Sequence, residues 1–321
     1  MRAGLSVQSP LKTTAKSALA ALLASVAVLA AEAPEAPRFA GPLDAGLMAE
    51  PASHEASGIA ASRRAEGLFW VNSDSGNEPV LHAVGSDGER RGKLRLDGIV
   101  NHDWEDLASF ELDGKAWLLV ADCGDNDAIR QGCVLHLVEE PDPARLSPDS
   151  ELTARPVWSI HFIYEDGARD CEAVAVDPAE RAAYLLSKRD VPARLYRLPL
   201  EPAGARMPAA ARFVGPVPGL PQPNRLQRSV AAPLFAYRGQ PCAMDFSPDG
   251  SLALVLTYGD TLLFPRAPGE TWAAALARRP VALRGHQLPQ AEAACFTRDG
   301  LAIMACSEKT MRWLRYERRE R

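Results

Sequence analysis

HDWEDLASFELDGKAWLLVADCGDN, residues 102–126, reads as two strands folded on a tight turn. Leu107 to Phe110 and Ala116 to Val120 carry the apolar runs, and Leu112-Asp113-Gly114-Lys115 supplies the turn chemistry between them. Acids crowd the open end: Asp103, Glu105 and Asp106 precede the first strand, and Asp122, Asp125 and Asn126 follow the second. An antiparallel hairpin brings its two outer ends together, so these side chains are expected to gather in one region. Carboxylates packed that closely repel unless a hard cation, a basic side chain or a shared proton offsets them. A single hairpin of this kind is more simply a pair of solvated loop ends.

Recurrence changes that reading. A Glu, a small or acidic residue, a short apolar strand and a tight turn return along the chain. The copies start at Glu55-Ala56-Ser57, Glu105-Asp106, Glu172-Ala173, Cys242-Ala243 (where Cys replaces Glu) and Glu292-Ala293. Strand repeats about 50 to 70 residues apart point to an all-β fold, a β-propeller of five blades. A sixth could lie in Arg206 to Gly239, where strands are poorly marked. Third strands are expected at Val80–Val84, Val134–Val138, Ala193–Leu198, Leu262–Phe264 and Met311–Tyr316, and outer strands at Gly92–Leu96, Val157–Ile163, Ala211–Val217 and Pro280–Gly285. The last blade lacks a fourth strand before the chain ends, so Arg38–Met48 is expected to supply it and close the ring. Pro141–Pro156 and the Pro-rich Pro216–Pro233 read as loop insertions.

The first 33 residues read as a secretory signal peptide: Arg2, Lys12 and Lys16, then an apolar run of about 15 residues, then Ala31-Glu32-Ala33 as a cleavage site. An uncleaved anchor is the minor alternative. Residues 34–37 read as a linker, 38–316 as the propeller and 317–321 as a charged tail. The expected location is periplasmic or secreted, with no transmembrane span after signal removal and a monomeric state. With 47% hydrophobic residues, 24% charged and a net charge of −5, the 321-residue chain can bury a large core and offers nothing for nucleic acid.

In a propeller the innermost strands line the centre, so the strand-start acids converge on one face. The residues expected to hold a metal are Glu55, Glu105, Asp125, Asn126, Asp170, Glu172 and Glu292. Oxygen donors without a His or Cys cluster favour Ca²⁺. Glu105, Asp106, Lys188 and Arg130 are the candidate catalytic groups, the two cations facing a small or anionic substrate. His54 and His102 precede Glu motifs and are weighed as bases against solvated loop histidines. Cys123 and Cys133 close a short loop and are the favoured disulfide among six cysteines, for which 15 pairings exist. Cys171, Cys242 and Cys295 read as small core residues.

The motif set resembles a group of secreted bacterial propeller proteins labelled phytase-like or esterase-like. The resemblance is carried by Glu55–Ala60, Asn72–Gly76, Asp103–Ala108, Gly124–Asn126 with Arg130, Glu139–Pro141, Tyr164–Gly167 with Asp170–Ala173, Ser187–Arg189, and Asp245–Gly250 with Thr257 and Tyr258. A more distant similarity is to calcium-centred lactonase propellers, which Glu55 matches by position. The resemblance implies a secreted propeller and hydrolysis. Two functions stay open: a divalent-cation-dependent hydrolase of an ester, lactone or phosphoester, and a non-catalytic binding or scaffold propeller at the cell envelope.

Overall fold

The structure, a computed structural model, describes Met1 and residues 34–52, 54–201, 208–230 and 232–319. The expected signal peptide falls outside the described residues, apart from Met1. Among the described residues no helix is long and apolar enough to cross a membrane.

The chain is built mostly from antiparallel strands, with parallel pairings only where one meander meets the next. β1 (Phe39–Leu47) leads into the first meander: β2 (Ala56–Ala61), β3 (Leu68–Ser73), β4 (Val80–Gly85) and β5 (Arg90–Leu96). The second runs through β6 (Trp104–Leu112), β7 (Lys115–Asp122) and β8 (Cys133–Glu139). It then detours through β9 (Glu151–Ala154) to β10 (Trp158–Tyr164). The third is β11 (Cys171–Asp177), β12 (Ala182–Ser187), β13 (Ala193–Pro199) and β14 (Ala209–Val217). The short helices α1 (Arg225–Arg228) and α2 (Pro233–Ala236) lead to β15 (Pro241–Phe246), β16 (Leu252–Thr257) and β17 (Thr261–Pro265). Helix α3 (Trp272–Leu276) precedes β18 (Val281–Ala282), and β19 (Ala291–Phe296), β20 (Ala302–Ser307) and β21 (Arg312–Arg318) finish the chain.

β1 pairs with β21, as expected for the closing strand. The first strands β2, β6, β11, β15 and β19 pack side by side in a closed ring, β19 meeting β2 again. These strands are buried along both faces except at Asp245 and Glu111, whereas β5, β10 and β14 are only half covered. Small side chains let the inner strands converge: Ala173, Ala175, Ala243, Ala293 and Ala294 are all buried there. Five apolar layers fill the gaps between neighbouring meanders, with Trp70 against Trp104 in the first gap, Tyr164 and Tyr196 in the second, Phe246 and Trp272 in the third, Phe296 and Tyr316 in the fourth, and Trp313 and Phe69 in the fifth. Burying large apolar side chains in every gap is what holds the ring shut. The fold is all-β and propeller-like.

Turn chemistry set the first hairpin as its sequence demands. Asp113 and Gly114 both take positive φ, 53° and 75°, the backbone of a two-residue loop between twisted strands.

Three expectations need correction. Pro141–Pro156 is more than a loop: β9 adds in parallel to β5, so the insertion of the second meander covers the edge of the first. The described part of Arg206–Gly239 holds β14 and two single-turn helices. The stretch read as a charged tail starts inside β21, because Glu317 lies opposite Ala302 and Ala40 in the sheet.

Candidate functional site

One backbone irregularity recurs in every first strand and sets the site. Pairing with the second strand slips by one residue between Ala56 and Gly58, Trp104 and Leu107, Cys171 and Ala173, Pro241 and Ala243, and Ala291 and Ala293. A bulge re-aims the extra residue away from the ladder. The backbone around it repeats as well: Asp74, Cys123, Lys188, Tyr258 and Glu308 donate their N–H to the carbonyls of Glu55, Asp103, Asp170, Gln240 and Gln290, at 2.9, 3.2, 2.9, 3.3 and 3.1 Å. The equivalent bulge residues are therefore Ser57, Glu105, Glu172, Cys242 and Glu292. Asp74, Cys123, Lys188, Tyr258 and Glu308 form a second tier where the second strands leave the ring.

Ser57, Glu105, Glu172 and Glu292 line a cavity of about 210 Å³ with Asp74, Lys188, Tyr258 and Glu308. Asn126 and Gln290 complete its rim. Asp74, Asp103 and Glu105 offer one oxygen each within 4.8 Å of one another, as do Glu105, Asp170 and Glu172. Glu172, Cys242 and Glu292 make a third such corner, with a sulfur in it. Among the described residues, Lys188 is the one ammonium lining this cavity. It ion-pairs Glu172 and lies 5.1 Å from the centre of the Tyr258 ring. Gly124 makes the acidic packing possible: a Cβ there would sit 2.5 Å from Asp103 Oδ2 and closer still to Glu105 Oε1.

Burial dominates the electrostatics. It pushes the Glu105 carboxyl well up, with Glu172 and Asp74 adding to the push. It also raises Glu172, against the opposing pull of Lys188. Burial takes Glu292 up to about 7 and Asp103 up to about 6. Burial works against the Lys188 ammonium, yet Glu172, Cys242 and Glu292 hold its pKa above the usual value.

The structure brings together Glu105, Asp170, Glu172, Glu292, Lys188 and Asn126, and sends Glu55, Asp125, Asp106 and Arg130 elsewhere. Glu55 sits two residues short of the bulge, level with Asp103 and Asp170, and Ser57 takes the ring position. Its carboxylate is half-exposed and accepts from Asn77 Nδ2 at 2.9 Å, so it stands outside the ring of bulge residues. Asp125 has both oxygens occupied by the Ile129 and Arg130 amides, at 2.9 and 2.8 Å, and shapes its own loop. Asp170 accepts from the Asp125 amide at 3.1 Å and from Arg189 Nε at 2.6 Å. Asn126 Oδ1 accepts from Arg189 too. Arg130 is turned away from the cavity, donating to Asp122 Oδ1 at 2.7 Å and the Gly124 carbonyl at 2.8 Å.

Asp106 lies below the cavity, fully buried. Its carboxylate accepts three backbone N–H groups: Leu107 at 2.9 Å, Val174 at 2.7 Å and Met244 at 3.1 Å. These amides face the centre of the ring, where the first strands have no further strand to pair with, and an unpaired buried N–H is costly. Asp106 is thus a plug that satisfies β6, β11 and β15 together. Asp245 does the same for Phe246 and Phe296, each at 2.8 Å, and lines a separate cavity at the far end with Arg63 and Arg298.

The six cysteines are unbridged and buried, so Cys123 and Cys133 are not joined. Cys133 Sγ reaches only the carbonyl of Cys123, at 3.9 Å. His54 and His102 are exposed, as expected of loop histidines. The residues overlooked as candidate ligands or counter-charges are Ser57 and Arg189. Each stands inside a motif already quoted, and only the bulge register and the contacts between meanders single them out.

No protein-family model matches the sequence, and no curated protein does. Among solved structures, the chain resembles the PQQ-bound form of an aldose sugar dehydrogenase from Streptomyces coelicolor. Identity is 10% and the TM-score 0.45, over 89% of this chain and 99% of that one. It also resembles Kuenenia stuttgartiensis hydrazine synthase, at 11% identity and TM-score 0.42, over 81% and 82% of the two chains. These are distant likenesses of shape and carry nothing about chemistry.

Proposed function

We propose that this chain is an exported five-bladed propeller whose acidic opening holds a hard divalent cation, Ca²⁺ by donor chemistry, and that it hydrolyses a small ester, lactone or phosphoester there. The membership suggested by the motifs, in the phytase-like or esterase-like group of secreted bacterial propellers, belongs to the same proposal. The observation that carries it is the Asp74–Asp103–Glu105 corner: three carboxylates with oxygens within 4.8 Å and, among the described residues, no basic side chain hydrogen-bonded to any of them. Its donors are all oxygen, which suits a hard ion. The corner with Cys242 does not suit such an ion equally well, so the oxygen-only side is the better seat.

The cation would supply Lewis-acid polarisation of a carbonyl or phosphoryl oxygen. The chain supplies the rest. Ser57 Oγ donates to Glu105 Oε2 at 3.1 Å and orients that carboxylate. Asp170 and Asn126, fixed by Arg189, support the rim as outer residues. Lys188 faces the cavity and meets negative charge on a bound substrate. Glu292, up at about 7 through burial, changes charge near neutrality, which suits a proton carrier.

A second reading has its own support. The pairs Lys188–Glu172, Arg189–Asp170 and Arg130–Asp122 already neutralise part of the acidic end, as a non-catalytic binding propeller would require. Hydrolysis of a panel of ester, lactone and phosphoester substrates, run with Ca²⁺ and with chelator, separates the two. Ca²⁺-dependent turnover abolished by Glu105→Gln is expected. Calcium binding with no turnover on any class would leave the binding propeller.

A further inference from the structure

We propose that Cys123 and Cys171 form a disulfide that ties the second meander to the third beside the acidic opening. Cys123 follows β7 and Cys171 begins β11, so the bond would join neighbouring meanders rather than close the local loop to Cys133. Cys123 Sγ points at Cys171, donating to its carbonyl at 3.2 Å. Both side chains lie in the same apolar layer between the second and third meanders, where the Cys171 thiol donates to the Ala173 carbonyl at 3.7 Å. The Cys133 thiol faces the backbone carbonyl of Cys123 at 3.9 Å, and burial pushes it up to about 12. Of the two neighbouring cysteines, Cys171 is the one whose backbone the Cys123 thiol itself reaches.

Each sulfur carries a neighbour that belongs to the cavity. Gly124 follows Cys123 and makes room for Glu105 and Asp103, and Glu172 follows Cys171 at the bulge. The bond would fix the spacing of Glu105 and Glu172 across two meanders. It rests on the exported reading only for its natural oxidant. In the step itself, both thiols give up a proton and together pass two electrons to a small disulfide such as oxidised glutathione. The Sγ–Sγ bond forms as the oxidant's S–S bond breaks to two thiols. Both sulfurs are buried, so reaction proceeds through local opening of the Cys123–Cys133 loop.

The test uses the full chain equilibrated with reduced and oxidised glutathione, in urea below the unfolding transition, followed by thiol blocking and non-reducing peptide mapping. The expected product links the Cys123 and Cys171 peptides and leaves Cys133 free. Cys133→Ser should form the same link, and reducing it should lower the melting temperature by roughly 5–10 °C, given the long loop closed. A Cys123–Cys133 link, or three thiols that stay free, overturns the proposal. Because no cation or substrate enters this experiment, its failure leaves the proposed hydrolytic function untouched, and failure of that function leaves the disulfide standing.

Discussion

Replacing Asp106 by Ala should cost far more stability than the loss of one acid beneath the cavity would suggest. The carboxylate satisfies three buried amides on three different strands, Leu107, Val174 and Met244. Each buried N–H left without an acceptor costs about 1–3 kcal/mol. The lost carboxyl no longer suffers its own burial, and water entering the gap recovers part of the remainder, so a net loss of about 3–5 kcal/mol is expected. At roughly 2–4 °C per kcal/mol, the melting temperature should drop on the order of 10 °C. Asp106→Asn keeps one acceptor oxygen and should lose about half as much. Urea unfolding monitored by tryptophan fluorescence, alongside calorimetry, gives both numbers. A loss below about 1 kcal/mol for Asp106→Ala would mean that the three amides find other partners, and the plug would be refuted.

Other consequences follow from the same geometry. Gly124→Ala places a methyl group against Glu105 and Asp103, so Ca²⁺ affinity measured calorimetrically should fall at least tenfold while the melting temperature in chelator changes little. Deleting residues 39–47 removes β1 from β21 and exposes that edge, so the whole ring should unfold at lower urea; an unchanged midpoint would show that closure is dispensable. In chelator, stability should fall as pH rises from about 4 to about 7. Burial raises the folded-state values of Asp103 and Asp245 to about 6 and of Glu292 to about 7, so the folded form binds more protons than the unfolded chain across that window. Their contribution is present below the ordinary carboxylate range and lost as pH passes the raised values. Saturating Ca²⁺ should flatten the profile.

The repeated strand–turn–strand units were legible because turn chemistry and apolar runs are local. Asp113-Gly114, Asp249-Gly250 and Asp299-Gly300 mark hairpins whatever surrounds them, and β1 was legible because the last meander is visibly one strand short. Register was less accessible. Glu55-Ala56-Ser57 looks like Glu105-Asp106 when read for its Glu, yet the bulge aligns Ser57 with Glu105. A one-residue slip of pairing leaves no compositional trace. Contacts between meanders were hidden for a similar reason. Arg130 lies near the acidic loop in sequence and pairs with Asp122, whereas Arg189, 63 positions beyond Asn126, crosses to it and to Asp170. Asp106 resembled a reactive acid because its three partners sit on strands up to 138 residues away.

Calcium titration of the melting temperature, followed in wild type and in Glu105→Gln at pH 7.5, addresses the cation site most directly. An ion that binds only the folded chain stabilises it by RT ln(1 + [L]/Kd), so a hundredfold excess over Kd gives about 2.7 kcal/mol. The wild-type melting temperature should climb steadily with Ca²⁺ and fall back with chelator, while Glu105→Gln should respond weakly. A wild-type melting temperature indifferent to Ca²⁺, Mg²⁺ and chelator alike would contradict the site and leave the acids held by Lys188, Arg189 and shared protons.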